Sequence, residues 1–215
     1  MSRRVVLIGG GEHARVVADA FAAAGRAGEL AGYLDRAPVD ETTRRAGLPF
    51  LGTDDAFVWA GELGLVCIGG PGRTPARRAI VERLAGRVAG WASVVHPAAT
   101  ISRTVDLAGG TVVLAGAILN SGVQVGAHGL VNTGAIVEHD VTLGAHVQVS
   151  PGAVLGGGVR IGEGAYVGLG AVIRDHITVG DGSVVGMGAV VTKDVPAGVL
   201  AVGHPARHRS LSRGS

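Results

Sequence analysis

The chain has 215 residues, of which 38 are glycine and only 3% are aromatic, a composition that suits a fold of tight corners better than a core of aromatic rings. Its 19 basic residues nearly balance 17 acidic ones, so charge gives little support for nucleic-acid binding or attachment to an anionic membrane. The single cysteine, Cys67, excludes an internal disulfide and a four-cysteine zinc site.

The first predicted elements are a strand, a glycine turn and a helix. The apolar run at residues 5–8 leads into Gly9-Gly10-Gly11, and a helical pattern of apolar residues follows at residues 15–24. The apolar run is too short for the hydrophobic region of a signal peptide, and it ends in a glycine turn instead of a cleavage site. We therefore expect a cytoplasmic protein without membrane insertion.

Further strands and a helix complete the N-terminal part. Strands are predicted at residues 30–34 and 65–68, and a helix is predicted at residues 75–85. Strands that alternate with helices indicate a small, Rossmann-like parallel α/β domain. We place this domain at residues 1–96, because the alternation ends near His96 and Pro97.

The glycine turn matches a degenerate dinucleotide fingerprint, with Gly9, Gly11 and Ala14 followed by Asp35. Backbone N–H groups at the start of a helix can bind any pyrophosphate. A six-strand dinucleotide fold does not fit in this segment, so a nucleotide-sugar is favoured over NAD. The alternative is a turn that needs glycine only for close helix packing.

The second part of the chain is a repeat of six residues. Every sixth residue from Ile101 is a branched aliphatic for sixteen steps, namely Ile101, Leu107, Val113, Leu119, Val125, Val131, Val137, Leu143, Val149, Leu155, Ile161, Val167, Ile173, Val179, Val185 and Val191. The fourth residue after each is small or β-branched, up to Val195, and the residue directly after each is often glycine, which we interpret as the turn position.

This period predicts a three-sided parallel β-helix at residues 97–215, with a short C-terminal tail. Each unit forms one strand and one corner, so a coil takes eighteen residues and about five coils fit between residues 101 and 195. The aliphatic side chains fill the interior.

Three segments together resemble a known family. They are GGGEHA at residues 9–14, NTGAIVEHD at residues 132–140 and GHPAR at residues 203–207. The resemblance is to bacterial sugar O-acyltransferases of the sialic acid O-acetyltransferase type, a group that includes N-acetyltransferases of nucleotide-linked 4-amino-4,6-dideoxysugars. It implies a left-handed β-helix, a homotrimer, acetyl-CoA as donor without a metal, and active sites between neighbouring β-helices.

Acyl transfer needs a base for the nucleophile's proton and a donor to the oxyanion. The resemblance makes His139 the general base and Asp140 the residue that orients its imidazole, with Glu138 as the alternative for that role. Gly157 follows His139 by eighteen residues, one coil further along the same edge. The resemblance assigns the oxyanion contact to its backbone N–H.

The resemblance also implies a site for the nucleotide-sugar, partly on the N-terminal domain. The backbone amides of Gly10 and Gly11 would lie near the pyrophosphate, His13 near the sugar, and Asp35 near the base or ribose. Asn132 is expected among the substrate-binding residues. For His13, the alternative is a helix-start residue that binds nothing.

The donor is expected along the later coils and the C-terminal segment. The residues predicted to line the groove are Gln148, Gly157, Gly168, Gly170, Gly186, Pro205 and Arg207. Gln148 stands where many members of the family have a second histidine that contacts the donor or the nucleophile. Glutamine can donate a hydrogen bond but cannot be protonated.

Two further histidines, His128 and His146, are eighteen residues apart and should stack on one edge. Because no third ligand is evident, we interpret them as exposed corner histidines and not as a metal pair. The sequence thus predicts acetyl transfer from acetyl-CoA to the amino group of a nucleotide-linked amino-deoxysugar. The alternatives are O-acetylation of a sugar or sialic acid, and a non-catalytic solenoid that binds a nucleotide-sugar.

Overall fold

The computed structural model describes residues 3–39 and 47–211. The N-terminal part is a parallel three-stranded sheet with strand order β2-β1-β3. Its elements are β1 Val5–Ile8, α1 Glu12–Ala23, a 3-10 turn Ala27–Glu29, β2 Leu30–Leu34, β3 Leu63–Val66 and α2 Thr74–Leu84. The predicted alternation is confirmed: β1 and β2 have the predicted bounds, and the ends of the other predicted elements are shifted by one to three residues.

The sheet of this α/β region is covered on both sides. All four residues of β1 are buried, as expected of a central parallel strand. Phe21 of α1 packs on one side of the sheet and Leu84 of α2 on the other. Cys67 lies in the same core, where burial raises the pKa of its thiol to about 12, so the thiol stays protonated at neutral pH.

The repeat forms a parallel β-solenoid of about six turns. The strands are β4 Val94–Val95, β5 Thr100–Ile101, β6 Asp106–Leu107, β7 Val112–Val113, β8 Ile118–Leu119, β9 Gln124–Val125, β10 Leu130–Val131, β11 Ile136–Val137, β12 Thr142–Leu143, β13 Gln148–Val149, β14 Val154–Leu155, β15 Arg160–Ile161, β16 Tyr166–Val167, β17 Val172–Ile173, β18 Thr178–Val179, β19 Val184–Val185 and β20 Val190–Val191. A hairpin of β21 Val199–Gly203 and β22 Ala206–Ser210 follows.

The strands form three sheets, which are the three faces of the solenoid. The first face runs β22-β21-β19-β16-β13-β10-β7-β4, the second β20-β17-β14-β11-β8-β5, and the third β18-β15-β12-β9-β6. Strands pair eighteen residues apart, as Val131 with Val149, which confirms the predicted coil length. About five coils lie between residues 101 and 195, as predicted, and the solenoid reaches about six turns because β4 and β21, outside that range, also belong to the first face.

The glycines of the repeat serve two purposes, and the predicted turn position was wrong. The backbone turns with positive φ at the third residue after each aliphatic from Leu107 to Val185, as at Gly134 and Gly152. Glycines directly after the aliphatic have no positive φ. A Cβ at Gly126 would lie 2.6 Å from the backbone nitrogen of Ala145, so these glycines are needed because successive coils approach closely.

The last corner also differs from the prediction. Val195 follows Val191 by four residues and pairs with Val179, so it takes a strand position instead of the expected corner position. The corner that contains Lys193 is therefore two residues shorter than those below it.

The α/β region packs on the first face. Val94, Val112 and Leu130 point outward from that face and join Phe21 of α1 in one apolar core. Within the described ranges, no helix is long and apolar enough to cross a bilayer.

Candidate active site

His139 lies at the corner between the second and third faces, which we call the second corner. Its Nδ1 is 3.0 Å from Oδ2 of Asp140, and its side chain is 58% exposed. Asp140 occupies the positive-φ position of the corner, with φ 59°. Its hydrogen bond, followed by the charges of Asp140 and Glu138, raises the pKa of His139 above the ordinary value.

This arrangement leaves Nε2 as the atom that can accept a proton. When the neutral imidazole carries its hydrogen on Nδ1 and donates to Asp140, the lone pair of Nε2 is free. Asp140 makes this hydrogen bond, whereas among the described residues the Glu138 side chain makes none with His139. The two candidate orienting residues are therefore distinguished by geometry.

Gly157 lies beside the imidazole on the next coil. A Cβ at this position would come 2.5 Å from Nε2 of His139, so any larger residue would displace the ring. The Gly158 N–H donates to the His139 carbonyl at 2.8 Å and joins the two coils. In the part of the chain that the structure describes, no protein group accepts a hydrogen bond from the Gly157 N–H.

The second corner continues upward as a column of four residues, His139, Gly157, Asp175 and Lys193, each one coil apart. At about 4.8 Å per coil, Lys193 stands about 14 Å from His139. A cavity of about 320 Å³ adjoins it, lined by Thr192, Lys193, Arg207 and His208 among others. Sequence reasoning missed Lys193, although its spacing of three coils from His139 was a usable signal.

Three of the other predicted donor residues lie at a different corner. Gly168, Gly170 and Gly186 are at the corner between the first and second faces, which we call the first corner. Asn132 is at the same corner, where its Oδ1 accepts a hydrogen bond from the Thr133 N–H at 2.8 Å. Within one chain, the second face separates these residues from His139. Pro205 and Arg207 lie at the C-terminal hairpin, and both are exposed.

The second face carries an apolar ladder that no other element of the described chain covers. Its outward residues from β8 to β20 are all aliphatic, namely Ile118, Ile136, Val154, Val172 and Val190. Leu169 and Met187 extend the ladder at the first corner, where they are 49% and 79% exposed. The third face, in contrast, is polar at its outward positions.

A second cavity, of about 670 Å³, opens at the carboxyl ends of the N-terminal strands. The glycine turn and the start of α2 form its rim, and Ile8, Leu34, Ile68 and Ile80 line its apolar part. Its charged lining residues include Arg36, Arg73 and Arg83, and Arg83 is paired with Asp54. A cavity of this size with a few polar groups fits a nucleotide-sized ligand.

The glycine turn is built differently from the predicted phosphate loop. The Gly10 N–H donates to Oδ2 of Asp35 at 2.8 Å, and Oδ1 of Asp35 accepts from the Arg36 N–H at 2.7 Å. Gly10 packs against the ring of Tyr33 and does not line the cavity. Gly11 does line it, and a Cβ there would meet nothing within 4 Å. The structure thus offers Gly11 to a ligand, and it gives Asp35 a structural contact with the turn.

His13 also lines this cavity. Burial, and secondarily the charge of Arg77, lowers the pKa of His13 to about 4, so the imidazole is neutral at pH 7. Its Nε2 is buried and has no hydrogen-bond partner among the described residues. The neutral ring is therefore part of the cavity wall, but this nitrogen itself has almost no accessible surface.

Gln148 lies at the contact between the two parts of the chain. Its side chain is 1% exposed. Its Oε1 accepts from the Gly70 N–H at 3.0 Å, and its Nε2 donates to Thr74 Oγ1 at 3.3 Å. Both ends of the carboxamide are thus occupied by the α/β region.

The prediction that His128 and His146 are exposed was wrong, because the α/β region covers their edge of the solenoid. Their rings stack at 5.0 Å, and Trp91 packs edge-on against His128 at 4.7 Å. Burial lowers the pKa of both, to about 4 for His128. Among residues 3–39 and 47–211, no group of three His, Cys, Asp or Glu side chains could hold a metal ion.

Known proteins share both the N-terminal part and the whole fold. Residues 4–84 match the family model described as the PglD N-terminal domain. A search of curated proteins found no match.

Solved structures match over nearly the full length. A histidine-to-asparagine variant of perosamine N-acetyltransferase from Caulobacter crescentus, in complex with CoA and GDP-perosamine, is 32% identical with a TM-score of 0.86, and 98% of each chain is covered. The acetyltransferase domain of PglB from Neisseria gonorrhoeae, in complex with acetyl coenzyme A, is 35% identical with a TM-score of 0.86, over 97% of this chain and 100% of that one. WeeI from Acinetobacter baumannii is 26% identical with a TM-score of 0.79, over 97% of this chain and 100% of that one.

Proposed function

The chain belongs to the family of β-helical nucleotide-sugar acetyltransferases, and from this premise we propose that it transfers the acetyl group of acetyl-CoA to the amino group of a nucleotide-linked amino-deoxysugar. The observation that carries the proposal is the close approach of the His139 imidazole to Gly157, where Nε2 would lie 2.5 Å from a Cβ at that glycine. The same chain matches the GDP-perosamine complex over 98% of its length.

The chemistry follows from the atoms at the second corner. Nε2 of His139 accepts a proton as the sugar amine attacks the thioester carbon, and the C–N bond forms. The N–H of Gly157 stabilises the oxyanion of the tetrahedral intermediate. The intermediate collapses with loss of the CoA thiolate, which takes up the proton from the imidazolium. Asp140 stabilises that imidazolium while it holds the proton.

The nucleotide would lie in the 670 Å³ cavity of the α/β region, with its pyrophosphate at the Gly11 N–H and the start of α1. His13 would contact the sugar or a phosphate oxygen. Asn132 is included as a substrate contact on the resemblance alone. The proposal assigns nucleotide binding to residues 1–96 and acetyl transfer to residues 97–215, with a Rossmann-like N-terminal domain and a left-handed coil.

The donor would run along the column above His139. An extended pantetheine arm has about the length of four residues, or about 14 Å, which matches the distance from His139 to Lys193. Lys193 and Arg207 are the cations at the 320 Å³ cavity at the end of this path, where the phosphates of CoA would lie.

A cytoplasmic homotrimer completes the proposal. The apolar ladder of the second face would be buried against a second copy, since solvent-exposed apolar strips of this size mark interfaces. Gly168, Gly170 and Gly186 at the first corner of one copy would then approach His139 at the second corner of the next. Light scattering tests this point: Val172→Glu should yield monomers without activity, whereas an active monomer of the wild-type chain would contradict it.

The decisive experiment is an assay of CoA release with a panel of nucleotide-linked amino sugars. Each amino sugar is compared with the matching sugar that carries a hydroxyl group in place of the amine. Mass spectrometry should find the acetyl group on the amino sugar, with GDP-perosamine as the first member tested. An acetyl group on a hydroxyl would favour O-acetylation, and calorimetric binding of NADH would support the dinucleotide alternative. Failure to bind acetyl-CoA would leave only a non-catalytic role.

A further inference from the structure

The walls of the nucleotide cavity are held in part by the solenoid. A second glycine loop, residues 69–72, lies between β3 and α2, and Gly69 of this loop and Arg73 directly after it line the cavity. Gly70 has a positive φ of 115°, and the Arg73 N–H donates back to its carbonyl at 3.2 Å. The position of this loop therefore sets the shape of one cavity wall.

Gln148 contacts this loop from the solenoid. The Gly70 N–H donates to its Oε1 at 3.0 Å, and its Nε2 donates to Thr74 Oγ1 at 3.3 Å. A carboxamide is at once an acceptor and a donor, so one side chain satisfies the loop amide and the first residue of α2. The neighbours of Gln148 in the sheet are Leu130 and Tyr166.

The contact continues from the loop to the far side of the cavity. Gly69 lies between Gln148 and His13, because a Cβ on Gly69 would be 3.6 Å from Oε1 of Gln148 and 3.6 Å from the His13 ring. His13 itself lines the cavity. On the next turn of α2, the buried Arg77 donates to the His128 carbonyl at 2.8 Å, which gives the helix a second attachment to the solenoid.

Gln148 also lies close to the catalytic corner along the chain. Its strand, β13, closes the coil that begins at β10 and contains His139. We propose that Gln148 is a positioning residue that fixes the second glycine loop, and with it the nucleotide cavity, relative to the coil that carries His139. It touches neither donor nor reacting atoms, and its effect falls on the nucleotide-sugar. The proposal rests on the proposed function, since it assigns the cavity to that substrate.

The test uses Gln148→Met, which keeps the shape of the side chain and removes both hydrogen bonds, with Gln124→Met as control. Gln124 is a glutamine at the equivalent outward position of the exposed third face. Kinetics with GDP-perosamine and acetyl-CoA should show the KM for the nucleotide-sugar raised about fivefold or more, because the net contribution of two hydrogen bonds is lost. We expect kcat and the KM for acetyl-CoA to stay within about twofold of wild type.

Hydrogen exchange on the ligand-free protein provides a measurement that does not depend on catalysis. The amides of Gly69, Gly70 and Gly72 should exchange faster in Gln148→Met and in Thr74→Val, and should be unchanged in Gln124→Met. If wild-type protein transfers no acetyl group, the proposed function fails, and exchange together with calorimetric titration of GDP still decides the role of Gln148.

Two results would overturn the proposal. One is a raised KM for acetyl-CoA with an unchanged KM for GDP-perosamine, which would place Gln148 at the donor. The other is exchange at residues 69–72 that does not differ between Gln148→Met and wild type.

Discussion

The imidazole of His139 lies directly against Gly157 of the next coil, so that Nε2 would be only 2.5 Å from a Cβ at that glycine. This relationship brings a proton acceptor to one point on the solenoid surface with a backbone N–H that donates to no described residue. His139 and Gly157 are eighteen residues apart, which is one coil, so their proximity follows from the stacking of coils and not from a local loop. A base beside an oxyanion donor is the minimum that acyl transfer from a thioester needs.

Replacement of His139 by Asn removes the base and keeps a hydrogen-bonding side chain of similar size. We expect kcat to fall by about a hundredfold or more, since general-base catalysis contributes a factor of this order. His176→Asn is the matched control, because His176 lies exposed at the same corner two coils away from Asp140. Circular dichroism should show both variants folded. Activity of His139→Asn within a few-fold of wild type would exclude His139 as the base.

The pH profile of the rate should report the hydrogen bond between Asp140 and His139. The raised pKa of His139 means that kcat/KM falls with decreasing pH already above pH 6.5, where the ring becomes protonated. In Asp140→Asn, which suits the positive φ of this position, the pKa of His139 falls and the acid limb moves to lower pH. The plateau rate should drop as well, since the imidazolium loses its partner.

Glu138→Gln provides the comparison for this profile. Glu138 contributes only its charge to the pKa of His139, and that contribution is the smallest cause of the shift. The acid limb of the pH profile of Glu138→Gln should therefore move less than that of Asp140→Asn. A larger shift in Glu138→Gln would assign the orienting role to Glu138.

Gly11→Val places a side chain in the open space of the nucleotide cavity. We expect the KM for the nucleotide-sugar to rise about tenfold, because the branched side chain obstructs the approach of the pyrophosphate to the backbone. The KM for acetyl-CoA should change little. Gly28→Val is the control, since Gly28 also has open space around it but lies away from the cavity. An unaltered nucleotide-sugar KM in a folded variant, or NADH binding lost on substitution, would contradict the assignment.

Lys193→Ala tests the donor path. Lys193 is the only lysine of the chain, and we expect its loss to raise the KM for acetyl-CoA about tenfold, as for the removal of a charged hydrogen bond to phosphate. The KM for the nucleotide-sugar should be unchanged. Arg160→Ala, on the third face, removes an exposed cation elsewhere and serves as control. Equal effects of the two substitutions would argue that only the overall charge matters.

The sequence predicts the strands well and the corners poorly, for a physical reason. One aliphatic per six residues, as at Val137 and Leu155, can only fill the interior of a coil, so strand positions follow from the period. A corner can require glycine for two reasons, a positive φ or the close approach of two backbones, and composition alone does not separate them. That is why the period alone led to the interpretation of the glycines after each aliphatic as turns.

Two residues that sequence reasoning placed differently depend on how the two parts of the chain pack. Gln148 and His128 occupy outward positions of the repeat, where a solenoid alone would expose them. The α/β region covers the first face and buries both. Asp35 lies at the expected edge of the sheet, but only the folded turn shows that its carboxylate is bonded to the Gly10 N–H.

The buried histidines predict a loss of stability in mild acid. His13 and His128 have pKa values of about 4 in the folded protein, below the ordinary value of 6.5. Between these values the unfolded chain binds more protons than the folded chain, so the free energy of unfolding falls as the pH falls from about 6.5 towards 4. From pH 7 to pH 5 the loss is at most about 2 kcal/mol for each histidine. Urea denaturation at the two pH values measures it, and His128→Asn, which tolerates the positive φ, should reduce the difference. A difference as large in this variant as in wild type would show that the covered histidine edge does not cause the acid sensitivity.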